Sequence, residues 1–266
     1  MTSSAASFVP VNLTLGVLLG VLLLVAAGVA ARFQLSPDSR TDRAREIVIA
    51  GLRAAAQLAL VSLVISWAVN NLAALLAFLL MMFAVAVRTA GRRITGNHTW
   101  WLTAAPIAAG VVPVVAALLL TGLVPLKGIA LIPITGILIG GALTVTVLAG
   151  RRGLDELSQR QGEVEAAMAL GLLDRDARLE IARPACSDAL LPGLDQTRTV
   201  GLVTLPGAFV GMLLAGAGPL MAGAVQLFVL VALMAVQSVA VAVTVELVAR
   251  HRLYRLEPGE ADSREA

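Results

Sequence analysis

Seven apolar runs, each about as long as a bilayer is thick, take up most of this 266-residue chain and leave it few folds. They cover residues 11–31, 47–69, 72–87, 100–120, 128–149, 199–217 and 222–249. A spanning helix needs roughly 20 apolar residues, and in lipid only a helix satisfies all its backbone hydrogen bonds within one segment. Hydrophobic residues make up 58% and charged residues 14%, with a mean hydropathy of +0.88, so no water-soluble core can absorb these runs. The expected fold is all-α: a single polytopic transmembrane domain over residues 1–266, with about seven transmembrane helices.

Basic residues set the orientation. Eighteen of the 20 Lys and Arg fall in four segments, 32–46, 88–99, 150–198 and the tail from 250, which the alternation of spans puts on one side. Of the other two, Lys127 sits in a loop on the opposite side and Arg53 lies inside a span. Basic loops stay in the cytoplasm, so the N-terminus is expected outside and the C-terminus inside, in a bacterial plasma (inner) membrane. The first ten residues carry no Lys or Arg, which denies residues 11–31 the basic start of a signal peptide and makes them the first span. A pI near 9.9 could suggest nucleic acid, but the basic residues flank spans instead of forming a patch, and no nucleic-acid partner is expected. Gly16 and Gly20, and Gly136, Gly140 and Gly141, are spaced for close helix packing. Pro106 and Pro113 should bend the fourth span, Trp100 and Trp101 should anchor it at the interface, and the tail should fray.

The polar segment 150–198 carries the most specific signal. Residues 155–170 lack proline and read as a helix; Gly171 suits the left-handed turn that ends one; Asp174 is placed to cap a second helix, which Pro184 should stop. Ala166, Ala167 and Gly171 are almost bare of side chain, so a partner could approach the backbone there. Glu165-Ala166-Ala167, then Gly171 after three residues, then Ile181 after nine more with Pro184 closing the pattern, resembles the EAA loop of ABC-transporter permeases. That loop is the cytoplasmic element that docks into a cleft on the ATPase subunit. The resemblance implies ATPase-coupling roles for Glu165, Ala166, Ala167, Gly171, Ile181 and Pro184; it departs at Arg183, where the pattern has Leu.

Further stretches are similar to the FetB-type permeases, a family that includes bacterial iron-export permeases and plant permeases linked to aluminium tolerance. They are RAAAQL at 53–58, GILIG at 136–140, LPGLDQTRTVGLVTLPG at 191–207 and AGAGP at 215–219. Gly141 stands where the family has Asn and Gly218 where it more often has Ser. The resemblance implies export of a metal ion such as iron, by two copies of the chain working with two copies of a separate ATPase in the lipid bilayer.

Chemistry of other kinds finds no motif. The chain lacks G-x-x-x-x-G-K-[ST], so ATP is expected on a partner subunit and no cofactor on this one. It also lacks H-E-x-x-H, G-x-S-x-G and any close Cys/His cluster, which argues against an enzyme and leaves a metal site unassigned. Polar residues inside spans are the candidates for a translocation path: Arg53, Gln57, Thr144, Thr204, Pro206, Gly207 and Gln226. Each has a plainer reading. Arg53 can snorkel, Gln57 one turn deeper can face protein, Thr144, Thr146 and Thr204 can bond their own helix, and Gln237 is undecided like Gln226. Met81 and Met82 suit gap-filling better than metal ligation, and Glu246 with Arg250 reads as an i,i+4 ion pair at a cytoplasmic helix end. Pro206-Gly207 reads either as a static kink or as a break that exposes backbone to a cavity. Two rivals stay open: a secondary transporter coupled to protons or sodium, for which a carboxylate near mid-membrane is missing, and an ABC permease for a non-metal small molecule.

Overall fold

A computed structural model describes residues 12–35, 42–122 and 128–255. The expectations for Lys127, the first ten residues and the tail beyond 255 lie outside the described residues. The chain divides into two units, residues 1–67 and 68–266.

The first unit holds α1 (Leu13–Arg32) and most of α2 (Arg43–Asn70). Asn12 caps α1 by accepting from the Leu15 amide at 3.0 Å, and Asp42 accepts from the amides of Ala44 and Arg45 at the head of α2. The close approach between the two helices falls elsewhere than expected. Space beside Gly16 and Gly20 is open, whereas a Cβ on Gly51 would lie 2.7 Å from the Leu23 side chain. The apolar face of α1 is broadly exposed, as befits a helix that meets lipid.

The second unit is a bundle. Helix α3 (Leu72–Ile94) begins at Asn71, whose side chain accepts from the amides of Ala73 and Ala74. It runs about two turns past the expected end, because Arg88, Arg92 and Arg93 favour helix as well as water. A 3₁₀ turn (His98–Thr103) leads into α4 (Ala104–Leu120). Pro106 falls in the first turn of α4, where a missing N–H costs no helical bond, so of the two prolines only Pro113 lies deep enough to bend the helix. Trp101 is exposed, while Trp100 packs against the core.

Helix α5 (Gly128–Gln159) is 32 residues long, about 48 Å, against a hydrocarbon core of about 30 Å. Its last turns therefore project as a stalk, and the polar segment begins as a continuation of the span. Two further helices follow, α6 (Gln161–Ala169) and α7 (Asp174–Ser187), then a 3₁₀ turn (Asp188–Leu190) and α8 (Leu191–Thr199). The expected continuous span over 199–217 is instead broken. Residues 200–206 are non-helical, α9 covers only Gly207–Leu214, and a tight turn with Gly216 at φ +88° leads into α10 (Pro219–Ala249).

Among the described residues, six helices are long and apolar enough to cross a membrane: α1, α2, α3, α4 with its leading 3₁₀ turn, α5 and α10. The protein is an all-α polytopic membrane protein, with the α8–α9 tract standing where the remaining apolar run was expected. The buried centre lies between α3, α4, α5 and α10, where Ile107, Leu138, Val145 and Val236 are almost wholly inaccessible. Met82 fills a gap beside Gly136, the role expected of it. Small residues (Ala90, Ala142, Ala149, Ala240) let the helices approach, which matters in lipid because van der Waals contact must replace the hydrophobic effect as the force between helices.

Candidate functional site

Two regions collect the residues singled out by sequence: the α6–α7 hairpin and the break before α9.

The hairpin is built on a small core of its own, Val164, Ala177 and Ile181, with Leu157 and Ala167 packed against it. Helix α6 starts where Arg160 interrupts the stalk. Its guanidinium donates to Glu156 at 3.0 Å and to Glu163, which holds Arg160 well above and Glu163 below their ordinary pKa values. The end of α6 is a Schellman motif: the Leu172 amide donates to the Ala167 carbonyl at 3.1 Å and the Gly171 amide to that of Met168 at 2.9 Å. Gly171 adopts φ +98°, the left-handed backbone that its position suggested. Asp174 is the first residue of α7 and its side chain makes no capping bond; it accepts instead from Arg178 at 2.8 Å. Pro184 lies inside α7, which continues to Ser187.

Glu165 and Ala166 are exposed, Ala167 is half-buried, Ile181 is buried and Pro184 exposed, so the pattern residues divide between an outer surface and the hairpin core. The turn adds a feature that the motif did not disclose. Leu170 is 85% and Leu173 72% exposed, an apolar tip on an otherwise charged loop. Beside it a cleft of about 490 Å³ is lined by Leu157, Glu165, Met168, Arg178, His251 and Tyr254, among others.

Helix α7 is tied back to the bundle. Cys186 is fully buried, its thiol donates to the Ala149 carbonyl at 3.2 Å, and burial pushes its pKa up to about 12. Arg175 donates two hydrogen bonds, 2.8 and 2.7 Å, to the Glu246 carboxylate on α10. The same carboxylate takes the expected i,i+4 bond from Arg250. The segment after α10 is packed through 255: Leu253 is fully buried, Asn97 donates to the Tyr254 carbonyl at 2.8 Å, and Arg255 donates to the Ile94 carbonyl and to Asp155. Fraying was expected there, and these bonds between distant segments prevent it.

The second region follows from three helix registers. Helices α5 and α10 run parallel, since a Cβ on Gly141 would meet Leu233 and one on Gly153 would come near Val248. Helix α8 meets α10 at Gly193, where a Cβ would lie 2.2 Å from the Gln237 Oε1, so any side chain there would displace the Gln237 amide. Gln237 is thus held between α5 and α8. Helix α9 packs on α10 and is joined to it by the 215–218 turn, with Gly207 and Gln226 each seven residues from the helix end that flanks the turn. Gln226 is buried, and its Oε1 has no partner. Between α8 and α9 the chain is extended at Pro206, left-handed at Gly201 (φ +81°), and closed by a Gly201 amide to Thr204 carbonyl bond of 2.9 Å. The backbone is thus interrupted before Gly207, and Pro206-Gly207 starts a helix instead of kinking a continuous one.

Thr204, Pro206 and Gly207 lie at the break, and Gln226 lies on α10, the helix on which α9 packs. Thr144 does not join them: it is exposed and donates to its own helix at Gly140, 2.9 Å away. Arg53 and Gln57 lie on α2 in the other unit, both exposed. Two buried hydroxyls that sequence reasoning left aside or read otherwise, Thr135 and Thr146 on α5, also lack partners. Among the described residues no group of three or more His, Cys, Asp or Glu could hold a metal ion.

Comparison with known proteins places the chain. A family model described as Uncharacterised protein family (UPF0014) matches residues 15–253. The chain belongs to the UPF0014 family. It is 35% identical over 231 residues to the UPF0014 membrane protein STAR2 of Oryza sativa subsp. japonica, covering 84% of this chain and 80% of that one. Protein ALUMINUM SENSITIVE 3 of Arabidopsis thaliana is 34% identical over 191 residues, 70% of this chain and 69% of its own. The probable iron export permease protein FetB of Escherichia coli (strain K12) is 30% identical over 123 residues, 46% and 47% of the two chains. No solved structure matches the chain.

Proposed function

We propose that this UPF0014 member is the membrane-spanning permease subunit of an ATP-driven ABC transporter, working as two copies with two copies of a separate ATPase and exporting a metal ion such as iron. The observation that carries the reading is the tip of the α6–α7 hairpin. Leu170 and Leu173 stand exposed together at the tip of a loop rich in charge, an apolar spot that suits a covering partner. The Schellman turn brings the backbone to the surface at Gly171 beside the small Ala166, and the spacing is that of an ATPase-docking loop. With the basic segments cytoplasmic, the hairpin stands where an ATPase can reach it, at the end of a stalk continuous with a span.

ATP-driven closure of the ATPase pair would move the hairpin and, through α5, α7 and α10, the break at 200–206. The Thr204 hydroxyl at the break and the buried Gln226 amide carbonyl on α10 are oxygens, donors that suit a hard cation held weakly enough to be released. The name of FetB supports iron as the cargo. The test is co-purification with an ABC ATPase, comparing wild type with Leu170→Glu and Leu173→Glu. A charge at either position should weaken association about tenfold or more. Unchanged association would remove the hairpin from the ATPase interface.

A further inference from the structure

Helix α7 bears on α10 as well as on α5, and its contact with α10 is uneven. On one side a cleft of about 400 Å³ opens along it, lined by Leu179, Arg183, Ser187, Val241, Val245 and Glu246 among others. At the mouth of that cleft Arg175 grips Glu246 with two charge-assisted bonds, joining residues 71 positions apart. Arg175 is in the first turn of α7, two residues beyond the apolar tip, and Glu246 is in the last turn of α10. Their own neighbours orient both side chains: Asp176 accepts from Arg175 at 2.6 Å, and Arg250 donates to Glu246. One turn further along α7, Arg178 lies 3.2 Å from the His251 ring, which stacks on Tyr254 at 5.0 Å. The start of α7 is thus pinned to α10 and to the segment that follows it.

The pair is a poor stabiliser. Its side chains are 42% and 32% exposed, and an ion pair so wetted contributes little to folding. Its bidentate geometry fixes direction instead, since two parallel bonds resist sliding and rotation where one would swivel. The far end of the lever is the helix that carries Gln237 beside Gly193 and the buried Gln226.

We propose that Arg175 and Glu246 are positioning residues forming the strut through which movement of the hairpin is passed to α10 and the broken span; this rests on the ATPase-coupled reading above. Neither residue touches substrate or ATPase in this role. The strut acts by holding α7 and α10 in one register while the hairpin moves.

The experiment uses the full chain, co-expressed with its ATPase and reconstituted in vesicles with ferrous ion as the probe. Four measurements are compared: ATPase pull-down, ATP hydrolysis, ATP-dependent ion movement and thermal stability. Arg175→Ala and Glu246→Ala should keep the pull-down and most of the hydrolysis and lose ion movement by about 5- to 150-fold. The double variant should be no worse than either single one, because the two act as a unit. In a Cys186→Ala background, Arg175→Cys with Glu246→Cys joined by a short bifunctional thiol linker should recover ion movement, and cutting the linker should lose it again. That recovery separates a strut from a merely structural contact. Additive losses, ion movement that falls only with thermal stability, or no recovery on linking would overturn the strut while wild-type coupling stands. A wild-type chain that neither binds an ATPase nor responds to ATP would remove the proposed function and the strut together.

Discussion

Gly171 offers the sharpest perturbation of the hairpin. Its φ of +98° is a conformation that an L side chain enters at a cost of about 1–2 kcal/mol. The surrounding space is empty, with nothing within 4 Å of a built Cβ, so this strain is the whole intramolecular penalty. It falls on a hairpin whose own core is three buried residues, so the turn should open in preference to the bundle. A loss of 1–2 kcal/mol raises the opened population about 5- to 30-fold. The amides of Gly171 and Leu172, which close the Schellman motif, report it directly: hydrogen exchange there should quicken by that factor in Gly171→Ala and less in Gly171→Asn. Gly171→Leu adds bulk at the surface where the ATPase should sit. It should leave the protein inserted and folded but reduce ATPase association and ATP-driven transport more than Gly171→Ala does. Wild-type exchange rates in Gly171→Ala would refute the strain argument, and normal association with normal transport in Gly171→Leu would refute the coupling role.

Other expectations follow from single residues. Gln57→Leu should reduce transport without reducing the amount of folded protein; unchanged transport, or loss of the protein itself, would make Gln57 structural. Replacing Gln226, whose Oε1 is buried and unpartnered, by the apolar Leu should leave thermal stability equal or higher while transport falls, and a large loss of stability would show the amide to be satisfied. Cys186 should resist maleimide until the protein unfolds, whereas a Ser187→Cys variant with Cys186→Ala should label from the cytoplasmic face; labelling from outside would invert the topology. Because burial raises the folded-state pKa of Cys186 from 9.0 to about 12, its contribution to stability is complete below pH 9 and lost as pH rises from there towards 12. Cys186→Ala should flatten that part of the stability profile, and an unaltered profile would contradict it.

Much of this was legible in the chain itself, and the exceptions have physical causes. Helix and turn at 161–187 could be read because glycine and proline punctuate the backbone locally, and Gly171 needs nothing distant to explain it. Pro184 misled because a proline bars only the bond behind it and α7 tolerates the loss. The break at 200–206 was obscured because hydropathy counts apolar side chains and is blind to whether the backbone between them is helical; Pro206-Gly207 was the sole local sign. The stalk of α5 was cut short for the converse reason, since Arg151, Arg152 and Asp155 end an apolar run without ending a helix. The strut was out of reach: nothing local marks Arg175 as the partner of Glu246, and only the fold brings them together. Leu170 and Leu173 look like ordinary helix-flanking leucines until the structure leaves them uncovered.

The central claim is that an ATPase drives ion movement through this chain, and flux in reconstituted vesicles tests it most directly. Vesicles carrying the chain with its ATPase, given ferrous ion and ATP on the ATPase side, should move the ion to the opposite side. The movement should require hydrolysable ATP, run without an ion gradient, and fail with Gly171→Leu. Movement by the chain alone, driven by a proton or sodium gradient and indifferent to ATP, would contradict the account.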